Sequence, residues 1–64
     1  MKDSISFKYR INENLIHNKS NIQVIVDHYE VHMYDGKLYI IYCCSSCEYG
    51  FQIKGHAIDF RKED

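Results

Sequence analysis

The sequence predicts one small all-β domain, mainly an antiparallel meander or a small partly open barrel. Two observations carry this prediction: apolar residues alternate near the N-terminus, and two runs rich in β-branched and aromatic residues flank Asp35-Gly36. With 45% hydrophobic residues, the 64-residue chain has the composition of a globular protein and the length of a single domain, residues 1–64. We expect strands near residues 4–11, 22–34, 37–44 and 49–60.

The first predicted strand covers residues 4–11. Its apolar residues recur with a period of two, which is typical of a half-buried strand; they are Ile5, Phe7, Tyr9 and Ile11. Residues 13–21 are polar apart from Leu15 and Ile16, and they are predicted to form a loop with at most one helical turn.

The Asp35-Gly36 pair predicts a hairpin with a two-residue type I′ turn, because both central positions of that turn need positive φ. The turn fixes the register, pairing Tyr34 with Lys37, Met33 with Leu38, Val31 with Ile40 and Tyr29 with Tyr42. One face of the hairpin then carries Tyr29, Val31, Met33, Leu38, Ile40 and Tyr42, which are expected to face the core. The other face, called the outer face below, carries His28, Glu30, His32, Tyr34, Lys37, Tyr39, Ile41 and Cys43.

Residues 21–34 also allow a helical interpretation. Several apolar residues fit helical spacing, and Ser20 with Gln23 matches a capping box. Five β-branched residues between Ile22 and Val31 favour the strand. The alternative fold is therefore α+β, with one helix near 21–34 packed on a three-stranded sheet. Further along the chain, Gly55 interrupts the last predicted strand and predicts a bulge or a tight bend.

The charge balance argues against nucleic acid and against an anionic membrane as partners. Eight basic and nine acidic residues give a formal charge of −1, with no large basic cluster. The longest apolar stretch, residues 38–44, is far shorter than a membrane span, and residues 1–10 lack the pattern of a signal peptide. We therefore expect a cytoplasmic protein, and the odd number of cysteines agrees with a reducing compartment.

The three cysteines raise the question of a metal site. Cys44 and Cys47 have the C-x2-C spacing of half a zinc site, and His28 with His32 would complete it if residues 21–34 were helical. On a strand these two histidines lie about 13 Å apart and cannot share one ion. The favoured interpretation treats the cysteines as small buried residues, so no cofactor is expected and zinc is the alternative.

No arrangement of residues predicts an enzyme. The hairpin register places Cys43 opposite His28, but a Cys–His pair on an open sheet has no third orienting group and no pocket. The carboxylates are scattered, and the three glycines form no phosphate-binding motif. We expect no catalytic residues.

The outer face of the hairpin is the predicted partner-binding surface, since tyrosine is favoured at protein interfaces. Its binding residues are His28, Glu30, His32, Tyr34, Lys37, Tyr39 and Ile41. The alternative is that a second layer of the same domain, residues 22–26 or the first strand, covers this face.

The sequence thus favours a non-enzymatic protein-binding module, an inhibitor or adaptor that occludes a larger protein. The composition indicates an AT-rich genome, and a phage or mobile-element protein acting on a host enzyme is the setting expected for so small a chain. Exposed strand edges also allow a homodimer. One alternative is a zinc-stabilised module; the other is a small nucleic-acid-binding barrel using Tyr9 with Lys8 and Arg10.

Overall fold

The structure, a computed structural model that describes residues 7–63, is one five-stranded antiparallel sheet. The strands are β1 (Asn14–His17), β2 (Ile22–Tyr34), β3 (Lys37–Ser46), β4 (Gln52–Gly55) and β5 (Phe60–Lys62). Their order across the sheet is β4-β3-β2-β1-β5, so β1 to β4 form a meander and β5 returns to the free edge of β1. The all-β prediction is confirmed, and residues 22–34 form a strand rather than the alternative helix.

The β2–β3 hairpin has the predicted turn and register. Asp35 and Gly36 have φ values of 51° and 75°, as a type I′ turn requires. All four predicted cross-strand pairs are present, from Tyr34 with Lys37 at the turn to Tyr29 with Tyr42. A two-residue turn matches the right-handed twist of the flanking strands, and this local chemistry is enough to fix which side chains share a face.

A β-bulge at Asp27 changes the alternation within β2. Val26 pairs with Cys44 and His28 pairs with Cys43, so Asp27 is an extra residue on this strand. The bulge places Val24 and Val26 on the same face as Tyr29. Residues 22–26 therefore extend the core face of the hairpin and do not cover its outer face.

The core lies on one side of the sheet and is covered by residues 7–13. Its buried cluster consists of Tyr9, Leu15, Val24, Val26, Tyr42, Cys44 and Phe60. The hydroxyl of Tyr9 donates a hydrogen bond to the carbonyl of Phe60 at 3.0 Å, and the hydroxyl of Tyr29 donates one to the carbonyl of Tyr9. The ring of Phe7 stacks on Tyr29 with 4.1 Å between centroids.

The prediction of a strand over residues 4–11 is wrong for residues 7–11, which form bends and turns; residues 4–6 lie outside the described part of the chain. The alternation does not reflect a strand, because Tyr9 alone is buried while Phe7 and Ile11 are exposed. Hydrogen bonds to the sheet replace strand pairing: Asn12 donates from its backbone to the carbonyl of Val26 at 2.7 Å.

The predicted loop over residues 13–21 is wrong at β1. This strand pairs on both sides, with Leu15 opposite Val24 of β2 and Lys62 of β5, and Leu15 is fully buried. Two apolar residues in a polar segment are only a weak strand signal. The strand forms because hydrogen-bonded pairing with β2 and β5 stabilises it beyond its local propensity.

The last predicted strand, residues 49–60, is divided at Gly55. Strand β4 ends there, a 3-10 turn follows at Ala57–Asp59, and β5 begins at Phe60. A Cβ atom at Gly55 would lie 2.8 Å from the carboxylate of Asp59 and 3.2 Å from the ring of Phe60, so any larger residue would displace these side chains. The predicted bend is confirmed.

Part of the β2–β3 hairpin projects beyond its neighbours. Strand β1 pairs with β2 only up to Ile25, and β4 pairs with β3 only from Tyr42. Residues 30–41, here called the arm, therefore pair only with each other, over five residue pairs or about 17 Å. The molecule is accordingly elongated, 41 × 22 × 18 Å. None of the helices in residues 7–63 is long and apolar enough to cross a membrane.

Candidate functional site

The arm exposes large side chains on both of its faces. On the core side, the cover provided by residues 7–13 ends near Tyr29, and Met33 beyond it is 71% exposed; Val31 and Leu38 are also exposed. On the outer face Tyr34 is 73% exposed and Tyr39 is 38% exposed. A run of apolar and aromatic side chains outside the core of so small a domain is typical of an interaction surface.

The structure places all seven predicted partner-binding residues on one face. His28 lies opposite Cys43, Glu30 opposite Ile41, His32 opposite Tyr39, and Tyr34 opposite Lys37. Glu30 and Ile41 are half-buried and the other five are exposed. No described residue forms a second layer over these five, and the ring of His56 lies against Tyr39 at 6.2 Å.

A polar cluster forms the base of the arm on this outer face. The carboxylate of Glu30 lies 3.0 Å from Nε2 of His32 and 3.2 Å from Nζ of Lys54. The hydrogen bond with His32 and then the hydrogen bond and charge of Lys54 lower the pKa of Glu30 to about 2. Glu30 is therefore ionised at neutral pH.

Cys43 completes this cluster from β3. Its thiol is fully buried, and the ligating atoms of His28, Glu30 and Cys43 all lie within 4.8 Å of one another. Burial raises the pKa of Cys43, and the negative charge of Glu30 raises it further. The thiol of Cys43 is therefore protonated at neutral pH unless a cation binds to it. A protonated thiol is a poor nucleophile.

The four residues of the predicted zinc alternative are not brought together. Cys44 is buried in the core on the opposite face from His28, and Cys47 is exposed beyond the end of β3. His28 and His32 are four residues apart on a strand. Of these four residues, only His28 belongs to the cluster with Glu30 and Cys43. The signal that identifies Cys43 is its position opposite His28 in the hairpin register.

The three thiols are expected to react very differently with an alkylating reagent. Burial raises the pKa of Cys44 to about 11, and Cys43 is equally buried, whereas Cys47 is exposed. Because the thiolate is the reactive form, brief treatment of the reduced native protein should add one label, at Cys47. Mass spectrometry after treatment in denaturant should show three labels. Fast alkylation of Cys43 or Cys44 in the native protein would contradict the burial of these two thiols.

The residues of the nucleic-acid alternative do not combine an exposed aromatic ring with a basic surface. Tyr9 is 2% exposed, so its ring is not available to stack on a base. Lys8, Arg10 and Lys62 do line one surface groove, but Glu13 lies in it too. Its carboxylate is 3.6 Å from Nζ of Lys62, which offsets part of the positive charge.

Comparisons with protein-family models, with curated proteins and with solved structures found no match.

Proposed function

We propose that the protein is a non-enzymatic protein-binding module whose arm docks on a larger protein. The observation that carries the proposal is the arm itself, a hairpin with exposed apolar and tyrosine side chains outside the core. The module would act as an inhibitor or adaptor, by occluding the surface of the partner on which the arm lies. A phage or mobile-element protein acting on a host enzyme in the cytoplasm is the setting that we propose.

The composition of the arm favours a protein as the partner. Tyrosine and methionine are enriched at protein interfaces, because they supply large contact areas that adapt to a partner. The arm carries Tyr34, Tyr39 and Met33 together with charges of both signs on Glu30, Asp35 and Lys37. A surface of mixed charge complements a protein better than a polyanion.

The backbone of the arm supports the same proposal. Within residues 7–63, both edges of the arm lack a neighbouring strand, so each presents N–H and C=O groups that can accept a strand from another chain. A two-stranded ribbon is only marginally stable by itself. Contact with a partner would therefore order the arm as well as bury its side chains.

A paired substitution tests this function. Tyr34→Ala with Tyr39→Ala should lower recovery of the partner at least tenfold when the protein is used as bait in extracts of the producing or host cell, since aromatic residues dominate binding energies. The thermal unfolding midpoint should barely change, because both rings lie outside the core cluster. Tyr49→Ala is the matched control, an exposed tyrosine at the other end of β3.

Three results would contradict the proposal. The first is equal recovery of the same protein by the wild type and the double variant. The second is a loss of recovery with Tyr49→Ala alone. The third is a chain that binds only itself: sedimentation would then show a dimer that the double variant dissociates, and the arm would be a homodimer contact.

A further inference from the structure

We propose that His28, Glu30 and Cys43 bind a divalent metal ion, zinc by preference, at the base of the arm. Their ligating atoms lie within 4.8 Å of one another on one face of the sheet. One imidazole nitrogen, one carboxylate oxygen and one thiolate sulfur form a donor set typical of zinc, and three protein ligands leave a fourth position open. This site shares His28 and Glu30 with the outer face, but it includes neither Tyr34 nor Tyr39 and uses none of the C-x2-C pair.

The register of the β2–β3 hairpin builds this constellation. The turn at Asp35-Gly36 fixes the pairing as far as His28 with Cys43, and in that register Asp27 would come next, opposite Cys44 on the core side. The bulge leaves His28 opposite Cys43 on the outer face, brings Val26 opposite Cys44 instead, and lets the side chain of Asp27 contact Ser45. Glu30 follows two residues later and shares that face, because side chains on a strand alternate. Bulges commonly re-aim a side chain near a functional site.

The distances suit an ion after a small adjustment. Zinc bonds of about 2.0–2.3 Å with tetrahedral angles place ligand atoms about 3.3–3.7 Å apart. The present separations, up to 4.8 Å, need a contraction of roughly 1 Å. The exposed imidazole of His28 can rotate by that amount, and the half-buried carboxylate of Glu30 can do so once it gives up its contact with Lys54, while the buried Cys43 provides a fixed point.

The neighbours of the cluster also fit a metal site. His32 contacts Glu30 at 3.0 Å, so it either orients this ligand or takes the fourth position. Carboxylate ligands usually have such a hydrogen-bonded partner. On binding, the Cys43 S–H bond breaks, its proton leaves to solvent and the sulfur–metal bond forms, which is why the coordinated thiol needs no low pKa of its own.

Lys54 opposes the metal in this arrangement. Its ammonium group lies 3.2 Å from Glu30 and its backbone is paired with Cys43, so a positive charge lies beside two of the three ligands. Binding must displace this ammonium from one carboxylate oxygen. Asp27, the bulge residue of β2, brings a negative charge close to this cluster. Its carboxylate accepts a hydrogen bond from Ser45, which lies two residues after Cys43 on β3. Removal of Lys54 should therefore strengthen metal binding.

Cobalt(II) titration of the purified 64-residue protein, in a thiol-free reductant, tests the site. We expect one equivalent to bind with a thiolate-to-cobalt charge-transfer band that zinc abolishes. Cys43→Ser should remove the band, whereas Cys47→Ser, an exposed cysteine elsewhere, should keep it. His28→Gln and Glu30→Gln should weaken binding at least tenfold and His32→Ala about 10- to 100-fold. Lys54→Ala should strengthen it by about 2- to 5-fold.

The results that would overturn the site are equally specific. Absence of the charge-transfer band in the wild type would exclude it. A band that persists in Cys43→Ser but disappears in Cys47→Ser would assign the metal to another cysteine. Because Cys43 is buried and its variant could fail to fold, His28→Gln provides the second test: this exposed residue is not part of the core, and unchanged cobalt affinity there would also overturn the proposal.

Discussion

Tyr9→Ala is expected to lower the free energy of unfolding by about 3–5 kcal/mol, the cost of removing a buried aromatic side chain. The ring of Tyr9 is 2% exposed and packs edge-on against Tyr42 with 5.3 Å between centroids. Its hydroxyl also links residues 7–13 to the carbonyl of Phe60. A domain of this length has a total stability of about 3–10 kcal/mol, so a large fraction of the variant should be unfolded at 25 °C.

Urea denaturation with two controls measures this effect. Tyr9→Phe keeps the ring and removes only the hydroxyl, so it should cost about 0.5–1.5 kcal/mol. Ile11→Ala removes an exposed apolar residue of the same segment and should change stability by less than about 0.5 kcal/mol. If Tyr9→Ala and Ile11→Ala lowered the free energy of unfolding equally, the packing of residues 7–13 against the core would not contribute to stability.

Leu15→Ala is expected to cost about 2–5 kcal/mol, because Leu15 is fully buried at the centre of the core cluster. Strand β1 lies between β2 and β5, so the cavity would weaken both pairings. Thermal unfolding followed by circular dichroism checks this prediction.

Asn14→Ala is the matched control on the same strand. Its side chain is exposed, so its effect should stay within about 0.5 kcal/mol. If Leu15→Ala were as stable as Asn14→Ala, the position of β1 in the sheet would be wrong.

The hairpin could be predicted in detail because its determinants are local. Asp35-Gly36 selects the turn, and the turn fixes the pairing of β2 with β3 down to Tyr29 and Tyr42. The bulge at Asp27 was not predicted, although the apolar residues contain its signal. Val24 and Val26 are even-numbered, whereas Tyr29 and Val31 are odd-numbered, and two such runs share one face only if an extra residue separates them.

The segments whose structure depends on distant contacts could not be predicted. Residues 7–11 alternate like a strand, but Tyr9 fills the core. The backbone N–H of Lys8 donates to the hydroxyl of Tyr42, and that of Asn12 donates to Val26 of β2. Strand β1 has too few apolar residues to be recognised, and it forms because Leu15 closes the core between two partners. Tertiary packing overrides local preference in both cases.

The candidate sites were predictable to different degrees. The seven outer-face residues were grouped correctly, because the alternation of a strand is enough to place them together. The cluster at the base of the arm was found only in part. The sequence placed His28 opposite Cys43, but the C-x2-C spacing drew the metal hypothesis to Cys44, which the bulge pairs with Val26 on the core side.

The arm and the cluster at its base divide the outer face into two regions with different chemistry. The tip carries exposed tyrosines suited to a protein contact, and the base carries the ionised Glu30 with its histidine, lysine and cysteine neighbours. Loss of metal binding in His28→Gln would leave Tyr34 and Tyr39 untouched. The two proposals can therefore fail separately.

Site-specific photocrosslinking in the producing or host cell tests the central claim, that the arm is the partner-binding surface, most directly. A benzophenone amino acid is placed at Tyr34, at Tyr39 or at Tyr49, and excess unmodified protein serves as competitor. We predict that Tyr34 and Tyr39 crosslink to the same protein, that the competitor abolishes this product, and that Tyr49 does not give it. Crosslinking from Tyr49 alone, or from none of the three positions, would contradict the account.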